Sequence, residues 1–378
     1  MKYWMFLFLS FCILLALQGA PAIHQEIEFV PPPVECYLVV NADTGDTILK
    51  KNPNQHHAPA SLTKLMTLYI TLDEIQSGRL SWDTLYTVPK WISSIGGSEA
   101  KMWPGEKIIV RDLVKAAAVG SANDAAAALA DIISHSQDTF IQKMNQRARE
   151  LDLHHTVFRS SNGLPVRPGT PKDFTTAADL AKLTLLIMKH HPELFQFSSS
   201  KEIYIRKGKY RFINTNKLIG KYPGMNGLKT GFTNDAGFCL VATAKQGNLR
   251  VISILLGAKS NKERFEYTRR LLDYTFSSFT NVSIPCKGRT LEIPIPKSEN
   301  YFATGIVTQN LFFMTPRKNA AKITLELFIP ASLEAPIAKG QKVAEYIATA
   351  DGEPLARVDV TSQDNIKKMG FFKRLFGG

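Results

Sequence analysis

Cysteine is scarce in this sequence, with four residues among 378. Cys12 lies inside an apolar N-terminal run, and the other three, Cys36, Cys239 and Cys286, are widely separated. An odd number of distant cysteines makes no disulfide framework and has no metal-ligand spacing. Each of the three lies in or beside a strand-like run, so we expect buried free thiols. The sequence therefore predicts neither a metal site nor another cofactor.

Acidic residues are outnumbered by basic ones, since 33 Asp and Glu against 46 Lys and Arg give a formal net charge of +13. This excess favours anionic surroundings, which could be nucleic acid, phospholipid head groups or an acidic envelope polymer. A hydrophobic content of 44% and a charged content of 21% are otherwise ordinary for a globular protein. The composition excludes a disordered chain, and the length is sufficient for two domains.

An apolar run at residues 3–17 follows Lys2 and precedes a stretch of small residues. This is the three-part pattern of a secretory signal, with Ala20 and Ala22 at positions −3 and −1 of the cut. The alternative is a membrane-spanning anchor, but the run is shorter than the ~20 residues that a bilayer crossing needs. We therefore predict a signal peptide over residues 1–22. Because it contains Lys2 and no acidic residue, the exported chain would carry 13 − 1 = +12.

The region from residue 23 to residue 276 is predicted to form one α+β domain. The predicted strands are 36–40, 47–50, 238–245 and 249–256, and the predicted helices are 61–76, 111–119, 124–133, 139–151, 175–189 and 261–279. The first of these helices is apolar on nearly all sides, which is typical of a helix in the middle of a domain. We expect an antiparallel sheet with helices packed on it and a helical cluster inserted in mid-chain.

The sequence changes character near residue 277. Prolines cluster at positions 285, 294 and 296, and short alternating apolar runs follow. This is the pattern of a small all-β sandwich, which we predict over residues 277–362 as a spacer or binding module.

The C-terminal tail, residues 363–378, is short, basic and aromatic. Four basic residues lie among Phe371, Phe372 and Phe376, and a helix over 366–378 would be moderately amphipathic. Aromatic and basic residues together favour a helix that lies in an anionic membrane interface. The alternative is a frayed terminus.

Ser61 and Lys64 lie at the start of the long apolar helix, three residues apart. Positions i and i+3 share one face of a helix, so the hydroxyl and the amine would lie side by side. A serine nucleophile needs such a neighbouring base. An unperturbed lysine has a pKa near ~10.4, so Lys64 would act as a base only if burial or a nearby cation favours the neutral amine. By itself, S-x-x-K is a weak pattern that also fits a surface helix start.

Two further motifs follow in order. Ser121-Ala122-Asn123 lies at a predicted helix break, and Lys229-Thr230-Gly231 lies on a predicted strand. S-x-x-K, S-x-N and K-T-G in this order occur in penicillin-binding proteins and class A β-lactamases. The sequence most resembles the D-alanyl-D-alanine carboxypeptidases among the low-molecular-mass penicillin-binding proteins. The resemblance implies a β-lactamase/transpeptidase-like fold, followed by a β-rich domain and an amphipathic C-terminal anchor.

The resemblance also implies a reaction. Ser61 would attack the carbonyl between the two terminal D-alanines of a peptidoglycan pentapeptide and release the last one, leaving an acyl-enzyme. Lys64 would take the serine proton, Ser121 would pass a proton toward the leaving amine, and Asn123 would bind the substrate backbone while orienting Lys64. Penicillins would acylate the same serine.

The remaining site residues come from the third motif. Lys229, Thr230 and Thr233 would hold the terminal carboxylate, and the backbone N–H groups of Ser61 and Phe232 would form the oxyanion hole. The implied partners are peptidoglycan stem peptides, β-lactams and, through the tail, an anionic membrane surface, but not nucleic acid. The implied location is the periplasmic face of the inner membrane, where the protein would be peripheral.

Two departures and three alternatives accompany this interpretation. Phe232 stands where a polar residue is frequent, and Ala122 stands where glycine is common. A β-lactamase would need a deacylating glutamate, for which the segment at Glu150 is a near miss, and would end about a hundred residues earlier. A D,D-endopeptidase generally lacks the second domain and the tail. A non-catalytic cell-wall binding protein would have no reason to keep the motif residues.

Overall fold

The computed structural model describes residues 28–164 and 172–370. Within them the chain divides into two compact units, Glu28–Phe276 and a second that begins at Ser277. Each unit has its own apolar core. The predicted signal peptide and the last part of the predicted tail, 371–378, lie outside the described residues. In the two stretches that are described, no helix combines the length and the hydropathy needed to span a bilayer.

The first unit is built on an antiparallel sheet of five strands and also contains two short two-stranded sheets. Its strands are β1 (Cys36–Asn41), β2 (Thr47–Lys51), β3 (Leu85–Thr87), β4 (Lys107–Ile109), β5 (Glu202–Ile205), β6 (Tyr210–Ile213), β7 (Met225–Thr233), β8 (Gly237–Gln246) and β9 (Leu249–Ala258). The large sheet has the order β2-β1-β9-β8-β7, so β7 is an edge strand. The predicted antiparallel hairpins at the start and end of this domain are confirmed.

The helices of this unit are mostly those predicted from the sequence. They are α1 (Lys64–Gln76), α2 (Lys90–Ser93), α3 (Val110–Val119), α4 (Asn123–Ser134), α5 (Gln137–Glu150), α6 (Ala177–His190), α7 (Leu194–Ser198) and α8 (Asn261–Ser278). Helix α1 packs against α3, α4, α5 and α6, as its apolar residues on all sides predict. The buried alanines of α4 let neighbouring helices approach closely. The first turn of α1 is therefore deep inside the unit.

The second unit is all β apart from one short helical turn, as predicted. Its elements are β10 (Phe279–Ile284), β11 (Thr290–Pro294), β12 (Phe302–Val307), β13 (Leu311–Pro316), α9 (Arg317–Ala320), β14 (Ile323–Phe328), β15 (Lys342–Ala350) and β16 (Glu353–Ser362). One sheet has the order β11-β12-β16-β15-β14, and β10 pairs with β13. Alternating burial along β12 and β13 shows that one face of each strand is in the core.

The predicted tail helix is wrong over its first five residues. Ile366 pairs with Ile337, and Lys368 pairs with Ser298, so this stretch is extended rather than helical. Ile366 and Met369 are buried. Ile366 therefore belongs to the apolar core of the second unit, while the phenylalanines that suggested a membrane helix lie outside the described residues.

Three of the four cysteines lie in the described chain, and all three are free and buried, as predicted.

Candidate active site

Ser61 lies in a 3-10 turn, Ala60–Thr63, that leads directly into α1 at Lys64. The predicted helix thus begins at the lysine and not at the serine. The predicted proximity nevertheless holds, because Lys64 Nζ lies 2.8 Å from Ser61 Oγ. The serine hydroxyl and the lysine amine are thus in hydrogen-bond contact.

Lys64 is completely buried, and its amine has two further partners. Nζ donates to Asn123 Oδ1 at 2.7 Å and to the carbonyl oxygen of Asn162 at 2.6 Å. Burial first, and then the positive charge of Lys229, holds the pKa of Lys64 well below its usual range. Both causes were expected from the sequence.

Ser121 lies in the break between α3 and α4, as predicted. Its φ of +59° is rare outside glycine and turns the chain sharply, so that the next helix starts at Asn123. Asn123 Nδ2 donates to the Gly96 carbonyl at 2.9 Å, which fixes the side chain that accepts from Lys64. The loop at Gly96 is therefore attached to the base.

Lys229 reaches Ser121 from strand β7. Its Nζ donates to Ser121 Oγ at 2.7 Å and to the Thr230 carbonyl at 3.1 Å. Burial, and then the positive charge of Arg264, lowers the pKa of Lys229 to about 7. This low value was not expected from the sequence, which suggested a plainly charged lysine.

The rest of the third motif lies along the same edge strand. Thr230 Oγ1 donates to Thr215 Oγ1 at 2.8 Å, while Thr233 Oγ1 accepts from the Ala236 N–H at 3.1 Å. The Phe232 ring is half exposed and stacks on Phe238, with centroids 4.2 Å apart.

Two glycines allow the separate segments to converge on the serine turn. A Cβ on Gly231 would lie 2.8 Å from the Pro59 carbonyl, and one on Gly163 would lie 1.9 Å from the Ala60 carbonyl. Gly163 also has a φ of +85°. Strand β7 and the turn at residue 163 can therefore touch the backbone beside Ser61 only because no side chain intervenes.

Several residues of this centre were missed from the sequence. Asp173 is buried and accepts from Thr63 Oγ1 at 2.8 Å and Ser160 Oγ at 3.0 Å, tying the serine turn to the turn that carries Asn162. Arg264 donates to the Gly231 carbonyl at 3.0 Å and so anchors β7. The run from Ser160 to Gly163 has strong turn composition and could have been noticed. Asp173 and Arg264 carry no comparable local signal.

A cavity of about 240 Å³ opens beside the centre. Its lining residues include Ala58, Pro59 and Ala60, the segment Thr233, Asn234 and Asp235, and also Arg159 and Lys172. Lys172 forms an ion pair with Asp235. The cavity thus adjoins both the serine turn and the end of β7, where a substrate chain can lie.

The geometry does not support Glu150 as a deacylating base. Glu150, the near miss for a deacylating base, ends α5, is substantially exposed and pairs with Arg147 at 3.1 Å. Over residues 28–164 and 172–370, no group of three His, Cys, Asp or Glu could hold a metal ion.

Comparison with protein families gives two matches that together span most of the chain. The family described as D-alanyl-D-alanine carboxypeptidase matches residues 33–260, and the penicillin-binding protein 5 C-terminal domain matches residues 279–368. D-alanyl-D-alanine carboxypeptidase DacF of Bacillus subtilis is 32% identical over 348 residues, which is 90% of this chain and 88% of the relative.

Solved structures give the same result. The D-alanyl-D-alanine carboxypeptidase DacD of Francisella tularensis has a TM-score of 0.77 at 29% identity, covering 93% of this chain and 99% of that one. Penicillin-binding protein D2 of Listeria monocytogenes, in its ampicillin-bound form, has a TM-score of 0.60 at 31% identity, covering 66% of this chain and all of that one. The fold and the order of the motifs agree with what the sequence resemblance implied.

Proposed function

Because this chain belongs to the D-alanyl-D-alanine carboxypeptidase family and is thus a serine peptidase, we propose that Ser61 removes the terminal D-alanine from peptidoglycan pentapeptides. The observation that carries the proposal is the contact between Ser61 Oγ and a fully buried lysine amine at 2.8 Å. A serine next to an amine whose pKa is held well below its usual range is an activated nucleophile.

The three partners of Lys64 satisfy a neutral amine as fully as they satisfy an ammonium. A neutral –NH₂ has two N–H donors and one lone pair, whereas an ammonium has three donors and no acceptor. Two of the three partners, Asn123 Oδ1 and the Asn162 carbonyl, can only accept. The third, the Ser61 hydroxyl, can donate its proton to the lone pair. The arrangement therefore presents the serine proton to the base and leaves every atom of the amine partnered.

Acylation of Ser61 requires several proton transfers. The Ser61 oxygen bonds to the carbonyl carbon between the two D-alanines while its proton passes to Lys64. The oxyanion that forms is held by the backbone N–H groups of Ser61 and Phe232. The carbon–nitrogen bond breaks as Ser121 donates its proton to the leaving amine. The proton that Lys64 took from Ser61 then moves to Ser121, so Ser121 regains its hydroxyl and Lys64 is neutral again. Water, activated by the same base, releases the shortened peptide and restores the serine.

Substrate binding rests on the edge strand. Lys229, Thr230 and Thr233 lie along β7, and an ammonium on Lys229 has a donor left for the terminal carboxylate after its contacts with Ser121 and Thr230. Asn123 offers its amide to the peptide backbone. A β-lactam carries a carboxylate beside a strained amide, so it would bind in the same orientation and acylate Ser61.

Two assays test this function. Labelled penicillin is expected to add one covalent adduct at Ser61, detected by intact-mass and peptide mass spectrometry, and Ser61→Ala is expected to remove it. A soluble pentapeptide that ends in D-Ala-D-Ala is expected to release free D-alanine.

Other outcomes would identify the alternatives. An adduct that persists in Ser61→Ala would refute the nucleophile. Fast hydrolysis of a chromogenic cephalosporin without D-alanine release would indicate a β-lactamase. Cleavage of crosslinked dimers in preference to pentapeptides would indicate an endopeptidase, and no adduct with any ligand would indicate a binding protein.

We also propose that the chain is exported, with its signal cut after Ala22, and that it is peripheral to the periplasmic face of the inner membrane. The apolar run at 3–17 and the basic, aromatic residues of 371–378 support this location. Since Ile366 and Met369 belong to the second unit, the anchoring segment starts after them.

Cell fractionation tests both ends of this proposal. The mature full-length protein is expected to begin at Ile23 and to pellet with membranes. A chain that ends at Gly370 keeps the packed residues and is expected to move to the soluble periplasmic fraction. An uncut N-terminus, or unchanged pelleting of the shortened chain, would contradict the respective half.

A further inference from the structure

Trp103 is an exposed aromatic residue that the proposed reaction does not use. Its side chain belongs to the loop between β3 and β4 and is 57% exposed. Single exposed apolar residues are common on protein surfaces and need no explanation. Trp103 differs because a charged pair packed against one face of its ring fixes its position.

A buried ion pair supports the indole. The Arg206 guanidinium lies 5.1 Å from the Trp103 ring and 5.2 Å from the Tyr210 ring. Glu106 holds it in a fork, with Nε donating at 2.6 Å and Nη2 at 3.1 Å. Both charged side chains are largely buried, with 13% of Arg206 and 6% of Glu106 exposed. The Trp103 ring thus has one face backed by a fixed cation, while much of its surface is open to solvent.

The same support is continuous with the active site. The Tyr210 ring packs edge-on against Phe212 at 5.0 Å, and Phe212 covers Gly120, where a Cβ would lie 2.2 Å from its ring. Gly120 directly precedes Ser121. The loop that carries Trp103 makes a second connection, because the backbone N–H groups of its Ala100 and Met102 donate to the carboxylate of Asp124, which is next to Asn123.

Exposed basic residues lie on the two segments that carry Trp103 and Arg206. Lys101 is exposed two residues before the indole, and Lys207 and Lys209 are exposed in the β5–β6 turn that follows Arg206. The carboxylates of Glu106 and Asp112 are buried and both engage Arg206, the second through the backbone N–H at 2.8 Å. An aromatic face with amines on the adjoining segments suits a ligand with an apolar face and anionic or carbonyl groups at its edge.

We propose that Trp103 is a stacking platform for an amino-sugar ring of the glycan strand that carries the stem peptide. This inference rests on the proposed function, since it takes the peptide substrate to be attached to a polymer. A pyranose ring has a C–H face that stacks on an indole, while its acetamido and carboxylate groups accept from the lysines. Because the indole is already fixed, stacking costs little side-chain entropy.

A comparison of two substrates distinguishes an effect on glycan binding at Trp103 from an effect on the catalytic centre. For Trp103→Ala, the ratio of KM for a disaccharide-pentapeptide to KM for the bare pentapeptide is expected to rise about fivefold, the size of one lost aromatic stack. Trp103→Tyr, which keeps an aromatic face, is expected to restore most of the ratio. Phe328→Ala, which removes a similarly exposed ring from β14, is the matched control and is expected to leave the ratio unchanged.

Two kinetic results would contradict the proposed role of Trp103. An unchanged KM ratio in Trp103→Ala would overturn the platform. A rise in KM and a fall in kcat of the same size on both substrates would also overturn it. A second measurement does not depend on turnover: sedimentation of the Ser61→Ala protein with purified glycan strands stripped of peptides. Trp103→Ala is expected to weaken that binding about fivefold. Absence of D-alanine release and of a penicillin adduct would instead refute the proposed function, whether or not glycan binding depends on Trp103.

Discussion

Replacing Lys64 with methionine is expected to slow acylation of Ser61 by penicillin by roughly 10³–10⁴-fold, the upper part of what a positioned general base supplies. Methionine has nearly the length of lysine and no nitrogen, so it fills the buried space without accepting a proton. The serine would keep its place in the 3-10 turn but lose the group 2.8 Å from its hydroxyl. Time-resolved intact-mass measurement of the adduct at pH 7 gives the rate.

The variant needs controls because two acceptors lose their donor. The Asn123 amide oxygen and the Asn162 carbonyl would be left without the lysine amine, which costs about 1–3 kcal/mol for each buried group that finds no other partner. Thermal unfolding must therefore show a folded protein at the assay temperature. Lys245→Met, at an exposed position on β8, is the matched substitution and is expected to acylate normally. Acylation of folded Lys64→Met within tenfold of the parent would remove lysine from the mechanism.

The dependence of acylation on pH is expected to be a bell with its falling limb near pH 7. Lys64 must be neutral, and its pKa is lowered, so the second-order rate constant rises with pH through that lowered value. Lys229 must be charged to hold a carboxylate, and its pKa in the free enzyme is about 7. Above that pH, the charged fraction falls about tenfold per unit, and so does the rate constant.

Saturation with ligand distinguishes this explanation from general instability. A bound carboxylate favours the charged form of Lys229 and raises its pKa. The first-order rate constant at saturating penicillin is therefore expected to hold its plateau to higher pH than the second-order constant. In Lys229→Arg the guanidinium stays charged, so the limb near 7 is expected to disappear even if the overall rate falls. A limb at the same pH in both constants, or one that survives in Lys229→Arg, would exclude Lys229 as its source.

The sequence predicted the parts of the site that are encoded locally. Five site residues lie in short motifs: Ser61, Lys64, Ser121, Asn123 and Lys229. The apolar run of α1 also predicts that the motif at its start lies inside the domain. The Asn162 carbonyl could not be predicted, because a backbone oxygen has no residue type. The low pKa of Lys229 comes from its burial and then from the charge of Arg264, and both depend on how distant segments pack around β7.

The tail shows how one pattern can satisfy two environments. Ile366 and Met369 are spaced as on an apolar helix face, and the same residues fit an extended segment whose side chains complete a β core. Hydrophobicity alone does not distinguish a lipid from a protein interior. Only the pairing of Ile366 with Ile337, which is set by tertiary structure, decides between them.

The hydrogen bonds around Ser61 have a further consequence for how the protein folds. Lys64 joins residues 59 and 98 positions away, Thr63 joins one 110 away, and Lys229 joins one 108 away. Each such contact requires closure of a long loop, and the entropy cost of that closure comes before the contact stabilises the fold. Contacts of this range therefore form late. The serine is therefore expected to become reactive late in the folding of the first domain. A newly made chain would gain reactivity only once these distant segments of the first domain have come together, so the amount of penicillin bound to Ser61 would report the fraction of folded molecules.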